Sequence, residues 1–446
     1  MCGINGVASA ATLASVDWVE LCNTIQSHRG PDHNGIWVSN NQKIALGHQR
    51  LSILDLSISG NQPMRDAKNN TTLIFNGEIY NYKELKKILT ENNYQFNTHT
   101  DTEVILVAYR HWGIDFLNKL IGMFAIVIVD QNKNKVFLCR DRAGEKPIYY
   151  QVKNKSIYFS SELKSLLKNK DIRSDISSLA IDTYFSLGYL PGSLSILSDT
   201  SKVLPGEYLS FDLINGEYHA NRYWNIDTED KVQTKDTLYD SFEDLMKSSV
   251  RLQLHADVPV GLLLSGGVDS TIICYIASLL NKNIKTYTLT NKESPDIDEG
   301  NYASNIASFL GTKHTSIDSR DISGTDILNI IDLIDEPFSD SSFIPTFLLT
   351  KEIKKHCTVA LGGDGADELF GGYRSYQMIL KYQSIINHLS PDMKNKILKL
   401  INTIFPLGFK GRNFVNRLLT NIDHYRGNLL FDKLPREKLL KIKNIH

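Results

Sequence analysis

Apolar residues are spaced in two different ways along the chain. Up to about residue 210 they come in strand-length blocks. "KIALGHQRLSI", "TTLIFNGEIYN", "GMFAIVIVD" and "KVFLCRD" read as strands, several separated by turn residues. "NKNK", Asn132 to Lys135, joins two of them as a hairpin, and "DTEVILVAYRHWG" predicts a helix ending at Gly113. Strands and helices segregated in this way predict an α+β sandwich, with stacked antiparallel sheets and helices outside.

From about residue 235 the rhythm changes. "TLYDSFEDLMKSSVRLQL" places Leu238, Phe242, Leu245 and Leu252 on one helical face. The strand-like "VPVGLLL" then runs through a small-residue loop into the helix-like "TIICYIASLL". "IKTYTLT", "NYASNIASFLG" and "CTVALGG" continue the alternation, which predicts an α/β doubly wound parallel sheet. The polar "NIDTEDKVQTKD" reads as the seam. The expected division is a first domain over 2–212, a linker over 213–235 and a second domain over 236–446.

Length and composition agree with two or three globular domains: 446 residues, 42% hydrophobic and 22% charged. A net charge of -1 gives no global attraction to nucleic acid. No apolar run approaches the roughly 18 residues of a membrane span. The N-terminus shows no signal peptide pattern. Five scattered cysteines without CxxC spacing argue for a reducing cytoplasm, and against a disulfide framework or a zinc site.

Three stretches carry candidate chemistry. "LLLSGGVDS" runs from a buried strand through Ser265-Gly266-Gly267 into a helix, so backbone amides and a helix N-terminus converge where a phosphate could lie. Asp269 would repel bare phosphate and makes sense as a Mg²⁺ ligand. The plain alternative is a tight turn capped by Asp269 or Ser270; strand, SGGxDS and helix together favour the phosphate loop. "VALGGDGADELFGGY" ends a strand at Leu361 and follows it with Gly362, Gly363, Asp364, Asp367 and Glu368. Asp269 and Asp367 could share one hard cation; the alternative is a solvated acidic turn. The third is "MCGINGVAS". Cys2 is either a small hydrophobe in a first strand or, once Met1 is removed, a residue with thiol and free amine on one carbon pair.

SGGVDS resembles the pyrophosphate loop of ATP pyrophosphatases, and "LGGDGADELFGGY" narrows the resemblance to the asparagine synthetase family. The first half is similar to class II glutamine amidotransferase domains, an N-terminal-nucleophile fold. The stretches that carry this are "MCGI", "HRGPD", "GHQRLSILDL", "QPM", "FNGEIYNY", "TDTEVIL", "GMFAIVIVD", "RDRAGEKPIYY" and "SSELKSLL". The resemblance implies that Cys2 attacks the glutamine amide, that Asn76 and the Gly77 N–H hold the oxyanion, and that Arg50 holds the glutamine carboxylate. It further implies that Leu51, Ser52, Ile53 and Leu54 line that site, and that Glu78 and Asp101 take the α-amine. Taken singly, each has a plainer reading: Arg50 a surface arginine, Asp101 a helix N-cap, "NG" a hairpin turn. His28 and the other cysteines read as structural. In the second half the resemblance implies ATP and Mg²⁺ as cofactors. Leu264, Ser265, Gly266, Gly267, Asp269, Ser270, Leu289, Gly362 and Gly363 would bind ATP, and Asp364 would act in adenylate formation. Aspartate would become asparagine through an aspartyl-adenylate, with AMP and pyrophosphate released.

The family's downstream lysine-bearing segment and "EvRvPfLD"-like stretch find no match, so the second domain is expected to be short at its C-terminus. The Lys/Arg-rich tail reads as solvated helical faces. The other readings are an amide ligase acting on another carboxylate, such as a sugar uronate, and a form retaining glutaminase activity only. Phosphoribosyl-pyrophosphate amidotransferases lack SGGxDS and are disfavoured. A homodimer and small-molecule substrates are the family's expectation; no nucleic acid or membrane partner is expected.

Overall fold

The strand-length blocks build sheets because alternate residues face opposite sides, and in this chain both sides are covered. The structure is a computed structural model. It describes residues 1–170, 175–227, 235–290, 298–318, 323–406 and scattered positions between 409 and 440. In chain order the strands of the first half are β1 (Gly3–Ser9), β2 (His33–Val38), β3 (Ile44–Arg50), β4 (Met64–Asp66), β5 (Thr71–Ile79), β6 (Gly122–Asp130), β7 (Lys135–Arg140), β8 (Tyr149–Lys153), β9 (Ser156–Ser160), β10 (Ser201–Lys202), β11 (Glu207–Asp212) and β12 (Tyr218–Arg222). They form two six-stranded sheets, ordered β10-β8-β9-β1-β3-β2 and β12-β11-β7-β6-β5-β4, with antiparallel neighbours throughout.

The sheets stack face to face. Ile4, Ile44, Leu46 and Phe159 of one meet Ile74, Val127, Val129 and Leu138 of the other in a sealed core. Each outer face carries helices. Tyr82–Glu91 and Asp101–Trp112 cover the β5–β6 side, and Val16–Ile25 with Leu163–Leu166 cover the β1 side. The predicted helix is Asp101–Trp112, ended by Gly113 as its pattern requires. The 132–135 hairpin joins β6 to β7.

The second half holds β13 (Val260–Leu263), β14 (Lys285–Thr290), β15 (Lys313–Asp318) and β16 (Val359–Leu361), all parallel, in the order β15-β14-β13-β16. Helices Val268–Leu280 and Gly300–Leu310 cross over between strands. Val250, Leu262, Cys274 and Ala303 pack on one face of the sheet, and Tyr287, Ile317, Ile353 and Cys357 on the other. Chain order reverses at β13, whose neighbours are β14 and β16, so a topological switch point lies between the ends of β13 and β16.

Two expectations need correcting. The linker does not begin at 213: Tyr218–Arg222 pairs with β11 because its hairpin extends the second sheet. Residues 228–234 of the expected linker lie outside the described residues, as does most of the Lys/Arg-rich tail. In helix Lys235–Gln253 the inward face is Met246 and Val250, followed by Leu254, while Leu238 and Leu245 are exposed. The sequence there holds two overlapping apolar stripes, and periodicity alone does not say which one meets the sheet.

Candidate active site

The first site lies where β1, β3 and β5 end together. One cleft gathers Cys2, Arg50, Leu51, Ile53, Leu54, Asn76, Gly77, Glu78 and Asp101. Ser52 is the exception: its N–H is held by Asp32 at 2.7 Å, and it opens on a neighbouring groove with His33, Val258 and Thr358.

Cys2 is half-buried, and the Leu51 N–H points at its sulfur from 3.4 Å. Burial pushes its thiol pKa up, opposed by that N–H and by the nearby terminal amine. Burial pushes the Met1 amine down to about 6. The Cys2 carbonyl accepts from Arg29 Nε at 2.9 Å, and Arg29 is itself held by Glu162 at 3.2 Å.

Asn76 is fully buried on β5, and neither its Oδ1 nor its Nδ2 has a hydrogen-bond partner. An orphaned buried amide costs about 1–3 kcal/mol unless something pairs with it, which makes this amide a candidate for binding a polar substrate group. The backbone that carries it is pinned: Gln62 Oε1 accepts the Phe75 N–H at 2.6 Å, and His48 Nε2 donates to the Phe75 carbonyl at 3.1 Å. Burial pushes the pKa of His48 down to about 3, so it serves as a neutral strut. At Gly77 a Cβ would sit 2.0 Å from the Met123 carbonyl oxygen, which excludes any side chain there.

Two buried carboxyls stand beside the amide. Burial, with Asp101 adding to it, pushes Glu78 up to about 7. Burial also pushes Asp101 up to about 6, against a 3.0 Å bond from the Ile79 N–H. Asp101 is the first residue of its helix; the cap is Thr100, whose side chain accepts the Glu103 N–H. Lys146 enters the same cleft, nearly buried, its Nζ 3.0 Å from Met1 Sδ.

Arg50 is buried at the end of β3 and spends its terminal N–H groups on its own loop. One nitrogen donates to Ser57 O at 2.8 Å and Asn61 Oδ1 at 2.9 Å, the other to the carbonyls of Leu54 and Asp55. It therefore shapes the 51–61 loop as well as charging the cleft. Gly60 makes room for it, since a Cβ there would meet the guanidinium at 2.0 Å.

The second candidate site opens at the switch point. Ser265-Gly266-Gly267 follows β13, and Gly267 begins helix Val268–Leu280 with no side chain capping it. Gly266 takes φ +85° and lies against Tyr302, so it needs glycine on both counts. Ser265 and Ser270 hydroxyls lie 3.0 Å apart and brace the loop. From the β16 side Gly363 packs onto the loop, its would-be Cβ 3.0 Å from Ser270 N and 3.1 Å from Asp269 Cβ; Asp364 folds over Gly362. Leu264 is buried behind, among Leu262 and Cys274, its carbonyl accepting from Thr288, whereas Leu289 of β14 packs with Tyr287 and Ile317 on the other face of the sheet. Asp367 turns its carboxylate toward Gly372. Among the described residues no cluster of three or more His, Cys, Asp or Glu forms a metal site. An uncapped helix N-terminus and small residues on both sides fit phosphate groups. A single carboxylate on that loop fits a cation bridging to them.

Arg29 and Lys146 lie in the stretches "HRGPD" and "RDRAGEKPIYY", yet nothing local marks them out. Their partners, Glu162 for one and the cleft for the other, are more than 100 residues away.

A thiol cleft with an unsatisfied buried amide and a phosphate-type crevice on a parallel sheet fit an enzyme that combines thiol chemistry with nucleotide use. Comparison with known proteins places it further. Residues 1–224 match the model of the glutamine amidotransferase domain, and residues 241–432 that of asparagine synthase. The chain is 34% identical to asparagine synthetase (glutamine-hydrolyzing) 1 of Bacillus subtilis, over 100% of its own length and 70% of the relative's. It is 36% identical to putative asparagine synthetase (glutamine-hydrolyzing) 2 of Methanocaldococcus jannaschii, over 84% and 76% respectively. The chain belongs to the glutamine-hydrolysing asparagine synthetase family. Among solved structures, the glutamine phosphoribosylpyrophosphate amidotransferase of B. subtilis is similar at TM-score 0.38 and 16% identity, covering 75% of this chain and 71% of that one. At such a score the likeness adds nothing to the fold already read from the strand order.

Proposed function

We propose that the chain hydrolyses glutamine at Cys2 and passes the ammonia to an ATP-activated carboxylate, aspartate by the family's pattern. The observation that carries this is the partnerless Asn76 amide buried beside a thiol. It is an unsatisfied donor in the place where acyl-transfer chemistry needs one.

Removal of Met1 gives Cys2 a free α-amine. An ordinary α-amine titrates at about 7.7–8.0, so a fraction of it is neutral near physiological pH and able to take the thiol proton. The sulfur attacks the side-chain amide carbon, and the oxyanion draws hydrogen bonds from Asn76 Nδ2 and the Gly77 N–H. The intermediate collapses as the α-ammonium protonates the leaving nitrogen. Ammonia departs, a thioester remains, and water attacks it with the amine again as base, releasing glutamate. Glu78 and Asp101 hold the substrate's α-ammonium. Its carboxylate goes to Arg50, where a charge-assisted pair is stronger than the loop carbonyl bonds it displaces.

In the crevice, ATP lies with its phosphates on Ser265–Ser270 and its adenosine toward Leu264, Leu289 and Gly362-Gly363. Asp269 is the residue that would hold Mg²⁺, with Asp367 the candidate second ligand; the ion would offset phosphate charge. Asp364 lies where adenylation takes place. The acceptor carboxylate displaces pyrophosphate from the α-phosphorus, and ammonia then displaces AMP to leave the amide. The buried free thiols suit a reducing cytoplasm. Among the described residues no helix is long and apolar enough to cross a membrane.

Cys2→Ala tests the reading. Glutaminase activity should fall by at least ~10⁴-fold, while ammonia-dependent pyrophosphate release with aspartate persists. A panel of carboxylates in that assay reads the acceptor. Undiminished glutamine hydrolysis in Cys2→Ala would overturn the assignment.

A further inference from the structure

The two halves meet at a corner of the second, Asp335-Glu336, between helices Gly324–Leu333 and Phe343–Ile353. The two acids do different jobs. Glu336 accepts the Ile196 N–H at 2.9 Å, Lys202 Nζ at 3.0 Å and the Tyr149 hydroxyl at 3.3 Å, so it fastens the halves together. Asp335 accepts the Leu163 N–H at 2.8 Å and pairs with Lys164 Nζ at 3.5 Å. Lys164 also donates to the carbonyls of Asp332 and Leu333, both at 3.1 Å.

Lys164 has a second carboxylate in reach. Its Nζ lies 3.7 Å from Glu162 Oε2, close enough for an ion pair but too far for a hydrogen bond. Glu162 is buried, and its other oxygen takes His28 Nε2 at 2.8 Å and Arg29 at 3.2 Å. Arg29 in turn holds the Cys2 carbonyl at 2.9 Å. A continuous run of charged contacts thus passes from the second half to the backbone of residue 2. Its balance depends on Lys164 being shared. Without the Asp335 charge, Lys164 can close on Glu162, compete with Arg29 for that carboxylate and loosen the grip on Cys2.

We propose that Asp335, in the synthetase half, is a positioning residue for the glutaminase step: it holds Lys164 off Glu162 and so fixes Arg29 and the Cys2 carbonyl. This rests on Cys2 being the nucleophile. The contacts of the run span 2.9 to 3.7 Å and are partly buried, and a misplacement of about 1 Å at a reacting centre costs up to about 10²-fold in rate.

The test is steady-state glutaminase kinetics of the full chain with glutamine alone, with thermal unfolding recorded in parallel. Asp335→Asn keeps an acceptor for the Leu163 N–H and removes the charge. Its kcat should fall roughly tenfold, a partial misplacement on that scale, with KM unchanged. Glu336→Gln, which damages the same interface away from the run, should keep kcat. Asp335→Asn combined with Lys164→Met should recover kcat, since without Lys164 nothing competes with Arg29 for Glu162. Equal losses in Asp335→Asn and Glu336→Gln would reduce the corner to a structural contact and overturn the proposal, as would full kcat in Asp335→Asn. Should Asp335→Asn fail to fold, Asp335→Ser, which also removes the charge and keeps an acceptor for the Leu163 N–H, carries the decision: lowered kcat at constant KM supports the proposal, and parental kcat overturns it. Cys2→Ala is assayed alongside. If it still turns over glutamine, the nucleophile reading fails first; if it is dead while Asp335→Asn is unimpaired, only this inference fails.

Discussion

The cleft around Cys2 and the crevice between β13 and β16 solve the problem of holding a charged substrate in opposite ways. In the cleft, Arg50, Asn76, Glu78 and Asp101 are all buried before any substrate arrives. Two carboxyl groups are held with raised pKa values and one amide is left unsatisfied. In the crevice, Ser265, Gly267 and Asp364 are exposed, and the loop is braced mainly by its own serines. The cleft carries its polar strain permanently, on buried side chains at the ends of the double sheet. The crevice leaves that cost to the moment when nucleotide binds. A site for neutral amide chemistry gains from dryness, because hydrogen bonds to a developing oxyanion are strongest there. A site for a polyphosphate cannot be dry in advance without stranding charges.

The sharpest way to break this contrast is a reciprocal pair of substitutions. Asn76→Ala should cost glutamine hydrolysis about 10²–10³-fold and leave ammonia-dependent ligation untouched. Asp269→Ala should do the reverse: pyrophosphate release collapses on a similar scale while glutaminase activity stays at its parental value. Steady-state assays of both activities in both variants decide it. Loss of both activities in either variant would mean that the sites are not separable.

Much of this arrangement is legible in the sequence because it is local. Asn76 and Gly77 come from one strand, the phosphate loop from one strand-to-helix turn, and the switch point from the alternation of strand and helix. What is not legible depends on residues distant in the chain. The raised pKa values of Glu78 and Asp101 come from burial that no spacing records. Arg50 reads as a substrate clamp, yet its loop occupies its N–H groups. Arg29 and Lys164 acquire their meaning only when Glu162 and Asp335 arrive from other elements. The linker misjudged at 213 has the same origin, since β12 is too polar to announce itself and forms only because β11 offers an edge.

A smaller effect follows from the two carboxyls. Glu78 titrates at about 7 and Asp101 at about 6 in the folded chain, both above their unfolded values. Raised acids make the folded state bind more protons than the unfolded one. Their contribution therefore favours folding at low pH and declines as pH rises from about 4 to about 7. Glutamine brings an ammonium that prefers the ionised forms, so KM for glutamine should fall over the upper part of that window, by a few-fold. Glu78→Gln should flatten both trends. Thermal unfolding of Cys2→Ala across pH, with and without glutamine, checks the first; KM against pH in the active chain checks the second. A pH-independent KM in the parent would show that these groups do not receive the substrate amine.

The smallest effect concerns the outer surface of the second half. Helix Gly300–Leu310 buries Ala303 and Ala307 against the sheet and leaves Phe309 88% exposed, while nearby Tyr302 is 72% exposed. Phe and Ser have similar helix propensities, and a ring this exposed contributes little. Phe309→Ser should therefore change the unfolding free energy by less than about 0.5 kcal/mol and leave both activities intact. A large change would carry more information than the expected one. It would mean that this face is covered in solution, that the second half is not as open as its crevice suggests, and that the contrast with the sealed first half belongs to the isolated chain alone. Denaturant unfolding of the parent and Phe309→Ser at two protein concentrations separates these cases, because a covering supplied by a second copy would make the difference grow with concentration.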